Sequence, residues 1–158
     1  MVDEQVRGAD PRGVRFTAAM TSVVLAIGIA AASPRLLLAQ AVLFGFCAAF
    51  GVRFNPYGAA YRKTVRPRLA PPAHLEGEGP LRFAQGIGCV VATVAALAYA
   101  VGLPALGAAV AALALTAALL NAVFGVCLGC HLYPVVARLR RLTIGPSHPE
   151  DTVVGAKA

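Results

Sequence analysis

FAQGIGCVVATVAALAYAVGLPALGAAVAALALTAALLNAVFGV, Phe83 to Val126, runs for 44 residues without an Asp, Glu, Lys, Arg or His. As a continuous helix it would reach about 66 Å, roughly twice the hydrocarbon thickness of a bilayer. The stretch therefore reads as two transmembrane helices, 83–103 and 104–127, reversing at Gly102-Leu103-Pro104, where glycine permits the turn and proline opens the next helix. Directly beyond it stands Cys127-Leu128-Gly129-Cys130-His131. A pair of thiols is thus expected where the chain leaves the membrane.

Working outward, Phe16 to Ser33 and Leu36 to Val52 are also free of charge, joined through Ser33-Pro34-Arg35. They predict two further spans, 16–33 and 36–52, each near the lower length limit. A secretory signal is the rival reading of the first, because Arg7, Arg12 and Arg15 precede it and Ala30-Ala31-Ala32 resembles a cleavage site. A second span only three residues later favours a helical hairpin. Composition agrees, with 58% hydrophobic and 13% charged residues and a mean hydropathy of +0.71, against about 25% charge in soluble domains. The fold expected is all-α, a polytopic bundle of four transmembrane helices made of two helical hairpins. Its domain occupies residues 13–133, between a disordered N-terminus (1–12) and a basic amphipathic stretch with a disordered tail (134–158).

Thirteen of the 14 basic residues lie before the first span, between the second and third, or after the fourth. Four spans put these segments on one side, cytoplasmic by the positive-inside rule. The expectation is a bacterial inner-membrane protein with both termini inside. The net charge of +7 then serves topology and anionic lipid rather than nucleic acid. Tyr57, Tyr61, Val65 and Leu69 recur every fourth residue beside Arg62, Lys63 and Arg66, which predicts an interfacial amphipathic helix over 57–69 with its tyrosines at headgroup depth. Pro134 to Leu142 forms a second such stretch, so Arg62, Lys63, Arg66, Arg138, Arg140 and Arg141 are expected to face lipid.

The spans carry small residues at four-residue spacing, Ala92/Ala96 and Ala108/Ala112, as close helix packing requires. Asn121 and Gln85 are the strongly polar residues within them, and buried amides ordinarily bridge helices. All four cysteines, Cys47, Cys89, Cys127 and Cys130, fall at similar depth. The first two read as packing residues. Cys127 and Cys130, at i and i+3, share a helical face and can close a disulfide or grip one metal, with His131 as a further ligand or proton partner. A thiol pair ending a helix has the dipole against its thiolate, unless Gly129 breaks the helix and a new one starts at His131.

Asp10-Pro11-Arg12-Gly13 with Arg15-Phe16, Arg82-Phe83-Ala84-Gln85, and Asn121 to Tyr133 with Cys127-Leu128-Gly129-Cys130 resemble the domain-of-unknown-function 4395 family of bacterial membrane proteins, over Asp10 to Tyr133. The resemblance implies the four-span topology, carries Cys127 and Cys130 as the family motif, and implies thiol or sulfane-sulfur chemistry through association with thioredoxin-like and rhodanese-type proteins. The expected function is a thiol-redox or sulfur-relay partner at the cytoplasmic face, either cysteine attacking while the other resolves, with a quinone between the helices as membrane-side acceptor. The alternatives are a zinc or iron-sulfur site on the four cysteines, a small-solute channel that needs a homo-oligomer because Ala-rich helices leave little lumen, and a structural subunit recruiting a soluble partner.

Overall fold

The computed structural model describes residues 8–144, with side chains as far as Leu139. Six α-helices account for most of it: α1 (Pro11–Ala30), α2 (Pro34–Phe50), α3 (Pro56–Thr64), α4 (Glu78–Ala100), α5 (Pro104–Phe124) and α6 (Leu128–Ile144). Among the described residues there is no β-strand, only a bridge between Ala9 and Glu76. Four helices open on proline, whose fixed φ and missing N–H suit the first helical position. Asp10, Ser33 and Asn55 cap the first three of these by accepting from the backbone N–H of Arg12, Leu36 and Tyr57.

The chain has the build of a membrane protein. Helices α1, α4 and α5 are each long and apolar enough to cross a bilayer, whereas α2 is apolar but only 17 residues long. The third apolar helix begins at Glu78 rather than Phe83, so Arg82 lies inside it. Its guanidinium reaches across to the carbonyls of Ala48 and Ala49 at 2.8 and 2.7 Å, which are among those that the end of α2 leaves free. Arg15 of α1 does the same for Ala122 and Val123 of α5, at 3.2 and 2.7 Å. Two arginines whose charge reads as a topology signal thus tie neighbouring helices together at their basic end.

Pairing does not follow the chain. The closest associations are α2 with α4, α1 with α5, and α4 with α5, while α1 and α2 touch least of these. Leu25, Leu37, Ala95, Ala96 and Ala111 form the packed cluster at the end opposite the basic one. Ala92 and Ala96 are buried on α4 as the small-residue spacing predicts, but on α5 the buried pair is Gly107 and Ala111, with Ala112 exposed. The register shifts because the ring of Tyr99 lies flat against Gly107, where a Cβ would stand 2.7 Å from Tyr99 Cδ2.

At the basic end α1 and α2 diverge, and α3 fills the opening. This corrects the interfacial helix over 57–69. Helix α3 stops at Thr64, and Arg66–Arg68 is a single 3-10 turn, because Pro67 disfavours helical geometry at the residue before it. Tyr61 is only 3% exposed. It packs on Phe16, lies over Gly13 and donates its hydroxyl to Asp10 at 3.1 Å. Tyr57 donates to Gln40 Oε1 at 3.1 Å, about ten residues, or roughly 15 Å, inside the end of α2. The N-terminal end of α3 is therefore its deep end, and its tyrosines face protein instead of headgroups.

Candidate functional site

Helix α5 does not run into the cysteines. Gly125 takes the left-handed conformation at φ 70° and ends the helix after Phe124, as glycine does at a helix C-terminus. The break thus comes four residues before Gly129, and α6 starts at Leu128. Cys127 stands at its N-cap position. The Cys127 carbonyl accepts from the His131 N–H at 3.1 Å, and its sulfur accepts from the Cys130 N–H at 3.3 Å. A sulfur here does what the oxygen of Ser or Asp does at an ordinary N-cap. The dipole that would oppose a thiolate at the end of α5 favours one at the start of α6.

The electrostatics of the pair are accordingly unequal. The Cys130 thiol donates to the Cys127 sulfur, and with the backbone N–H groups of Cys130 and Gly129 it draws the Cys127 thiol from 9.0 down to about 7, against burial and the Glu76 carboxylate. Cys130 shifts the other way, because its proton is held by the Cys127 sulfur and because burial and the negative charges of Cys127 and Glu76 oppose a second anion. Of the two, Cys127 is the thiol drawn toward ionisation and Cys130 the one held protonated. All four cysteines are free thiols.

Glu76 is held near this pair by its backbone, which exchanges two 2.9 Å hydrogen bonds with Ala9. Burial pushes its own carboxyl up, with His74 partly offsetting. No local signal in the sequence marks Glu76 as part of the site. Gly129 is explained by packing. A Cβ there would meet Ala84 of α4, 2.6 Å from its Cβ and 2.7 Å from its Cα, so only glycine lets α6 approach α4 this closely. Pro134 lies inside α6 and has no N–H for the carbonyl of Cys130, four residues earlier.

Cys127 opens onto a cavity of about 760 Å³. Its walls are α1 (Thr17, Ala18, Thr21), α4 (Leu81, Gln85, Gly88, Val91) and α5 (Ala114, Ala117, Asn121), with α3 and the first turn of α6 at the mouth. The volume exists because the walls are small. The expectation that Ala-rich helices leave little lumen is therefore corrected: with few large side chains to fill the centre, backbone spacing sets a hollow. The Leu25, Leu37 and Ala96 cluster packs the opposite end of the bundle and is not part of the cavity wall.

Gln85 and Asn121, expected to bridge helices, both line this chamber instead. Gln85 Oε1 is buried without a partner, and among the described residues no hydrogen bond links the Asn121 side chain to another helix. His131 turns its Nδ1 to the carbonyl of Cys127 at 3.0 Å, not to the sulfur. Among the described residues no three of His, Cys, Asp or Glu stand close enough to hold one metal, so the four-cysteine centre is not formed, and neither is the Cys127, Cys130, His131 set. Cys47 and Cys89 belong to the α2–α4 seam, Cys47 fully buried and Cys89 packed beside Ala41, Phe44 and Ala92.

The basic residues divide. Arg62 donates to the carbonyl of Arg53 at 2.8 Å and, with Arg66, lines the cavity mouth, while Lys63 and Arg138 are exposed. The side chains of Arg140 and Arg141 lie outside the described residues.

A family model described as a domain of unknown function, DUF4395, matches residues 9–138. The chain belongs to the DUF4395 family. No curated protein matches it, and no solved structure does. The DUF4395 match takes in the capped thiol, the glycine contact and every helix that walls the chamber, and stops within α6.

Proposed function

We propose that this DUF4395 protein is a four-span protein of the bacterial inner membrane, with α2 as the short fourth span and both termini cytoplasmic. In this reading it exchanges electrons or sulfane sulfur with a cytosolic thioredoxin-like or rhodanese-type partner through Cys127 and Cys130. One observation carries the reading: Cys127 caps α6 with its sulfur accepting from Cys130, and its thiol is drawn to about 7. A thiol with a pKa near ambient pH is the most effective attacker in disulfide exchange, and a lowered pKa also makes it a better leaving group.

Cys127 therefore forms the mixed disulfide, and Cys130 resolves it. Attack by the Cys127 thiolate on a partner disulfide releases one partner thiol. Cys130, on losing its proton, then attacks the Cys127 sulfur and frees the other, leaving a Cys127–Cys130 disulfide. The reverse sequence passes through the same intermediate. Glu76, whose charge acts on both thiols and whose own carboxyl pKa is raised, is the base in this reading for the Cys130 proton.

The test is capture. Cys130→Ser in native membranes should accumulate a mixed disulfide with a soluble C-x-x-C or rhodanese-type protein, and Cys127→Ser should not. If neither variant captures more than the double mutant does, the reading fails.

A further inference from the structure

The chamber beside Cys127 has a chemistry of its own. Its volume of about 760 Å³ falls within the range of small-molecule pockets, roughly 300–1,000 Å³. Below the mouth, the polar groups on its wall are neutral: Thr17, Thr21, Gln85 and Asn121. Charged side chains stay at the mouth and carry both signs, Arg53, Arg62 and Arg66 with Asp10 and Glu78. An anion such as a sulfur oxyacid would find no buried cation inside and would lose its hydration. The interior suits a neutral, apolar body bearing one or two hydrogen-bonding oxygens.

Gln85 narrows this further. Its carboxamide has an unpartnered, buried end, and a half-turn of the amide presents either C=O or NH2 to the chamber. Such a group can accept from a hydroxyl and donate to a carbonyl on the same ligand in its two redox states. Cys127 lines the same space.

We infer that the chamber binds the ring of a membrane quinone, which accepts the two electrons of the Cys127–Cys130 dithiol. This rests on the thiol function proposed above and adds its membrane-side substrate. The balance is two thiols and one quinone giving one disulfide and one quinol: the S–S bond forms, both S–H bonds break, and the two protons end on the ring oxygens. Electrons entering from a cytosolic dithiol thus leave into the lipid phase.

Prereduced protein in lipid nanodiscs, freed of reductant, is mixed with decyl-ubiquinone, whose fully substituted ring resists addition of a thiol. Loss of quinone absorbance and of free thiol per chain are followed together. The expected result is one quinol per chain with saturation, abolished in Cys127→Ser. Ala117→Phe, which fills the chamber, should raise half-saturation at least tenfold, and Gln85→Leu, close in size and needed should the first misfold, several-fold. In both variants Cys127 should still be alkylated by a maleimide. Oxidation that is linear in quinone, or unchanged in both variants while Cys127 alkylates normally, overturns the chamber assignment and leaves the thiol function standing. A Cys127 inert to maleimide in the wild type overturns both.

Discussion

Removing the Cys130 thiol should change the reactivity of Cys127 in a manner that a packing role would not. At pH 7 a thiol of pKa about 7 is half ionised, against about 1% for one at 9.0. That is about a fifty-fold gain in thiolate. Lower basicity weakens each thiolate by about eightfold over two units, at a Brønsted coefficient near 0.45, so the net advantage at pH 7 is about sixfold. Cys130 supplies the largest part of the shift. Cys130→Ala should therefore move the alkylation midpoint of Cys127 up by about a unit or more, slow the reaction at pH 7, and speed it above pH 9, so that the two profiles cross. Cys130→Ser keeps a donor and should stay close to wild type. The assay is iodoacetamide labelling of membranes between pH 5 and 10, read at the Cys127 peptide by mass spectrometry. Superimposable wild-type and alanine profiles would refute the donor role. Linkage gives a second reading: a folded pKa below the unfolded 9.0 stabilises the fold most near pH 9, the benefit is lost as pH falls toward 7, and above 9 the raised Cys130 thiol works against it. The melting difference between reduced wild type and Cys127→Ala should accordingly widen from pH 7 to 9.

Other substitutions probe the supports of the site. Glu76→Gln removes a negative charge that holds the thiol up, so the Cys127 midpoint should fall below the wild-type value in the same labelling assay. Gly129→Ala forces α6 away from Ala84, at a cost of about 1–3 kcal/mol by overpacking; the Cys127 midpoint should rise as the cap loosens, and Gly129→Val should exaggerate both effects. Tyr57→Phe leaves the amide of Gln40, already unpartnered at Nε2, with no partner at Oε1 either, and should lower stability by about 1–3 kcal/mol, measured by thermal unfolding in detergent.

The apolar helices were legible because length and charge exclusion fix them: the turn at Gly102 and Pro104 stands where the sequence places it. Boundaries were less so. Glu78 to Arg82 continue α4 because Arg82 satisfies the end of α2, a partner 33 residues away that no local window contains. Helix α3 shows the same limit. The four-residue repeat of Tyr57, Tyr61 and Val65 correctly marks one apolar face, but periodicity cannot say whether lipid or protein covers it. Here Gly13 and Gln40 do. The thiol pair itself was visible, and so was the difficulty of a thiolate at a helix C-terminus. Gly125 resolves it, and a lone glycine two residues before the first cysteine was the available signal.

The glycine inside the motif joins the two halves of the site. Gly129 lets α6 close on α4 at Ala84, and the next residue on α4 is Gln85, which lines the chamber. Any side chain at position 129 lifts the Cys127 cap from the wall that carries the amide, so the distance from thiol to chamber depends on one missing methyl group. A metal-binding Cys-x-x-Cys needs no such contact, since its geometry is set by the ion and the turn between the ligands. A pair whose first sulfur must reach a ligand held by another helix does need it. The close approach of α6 to α4 is thus what the proposed transfer toward the interior of the bundle requires, and Gly129→Ala tests the two together.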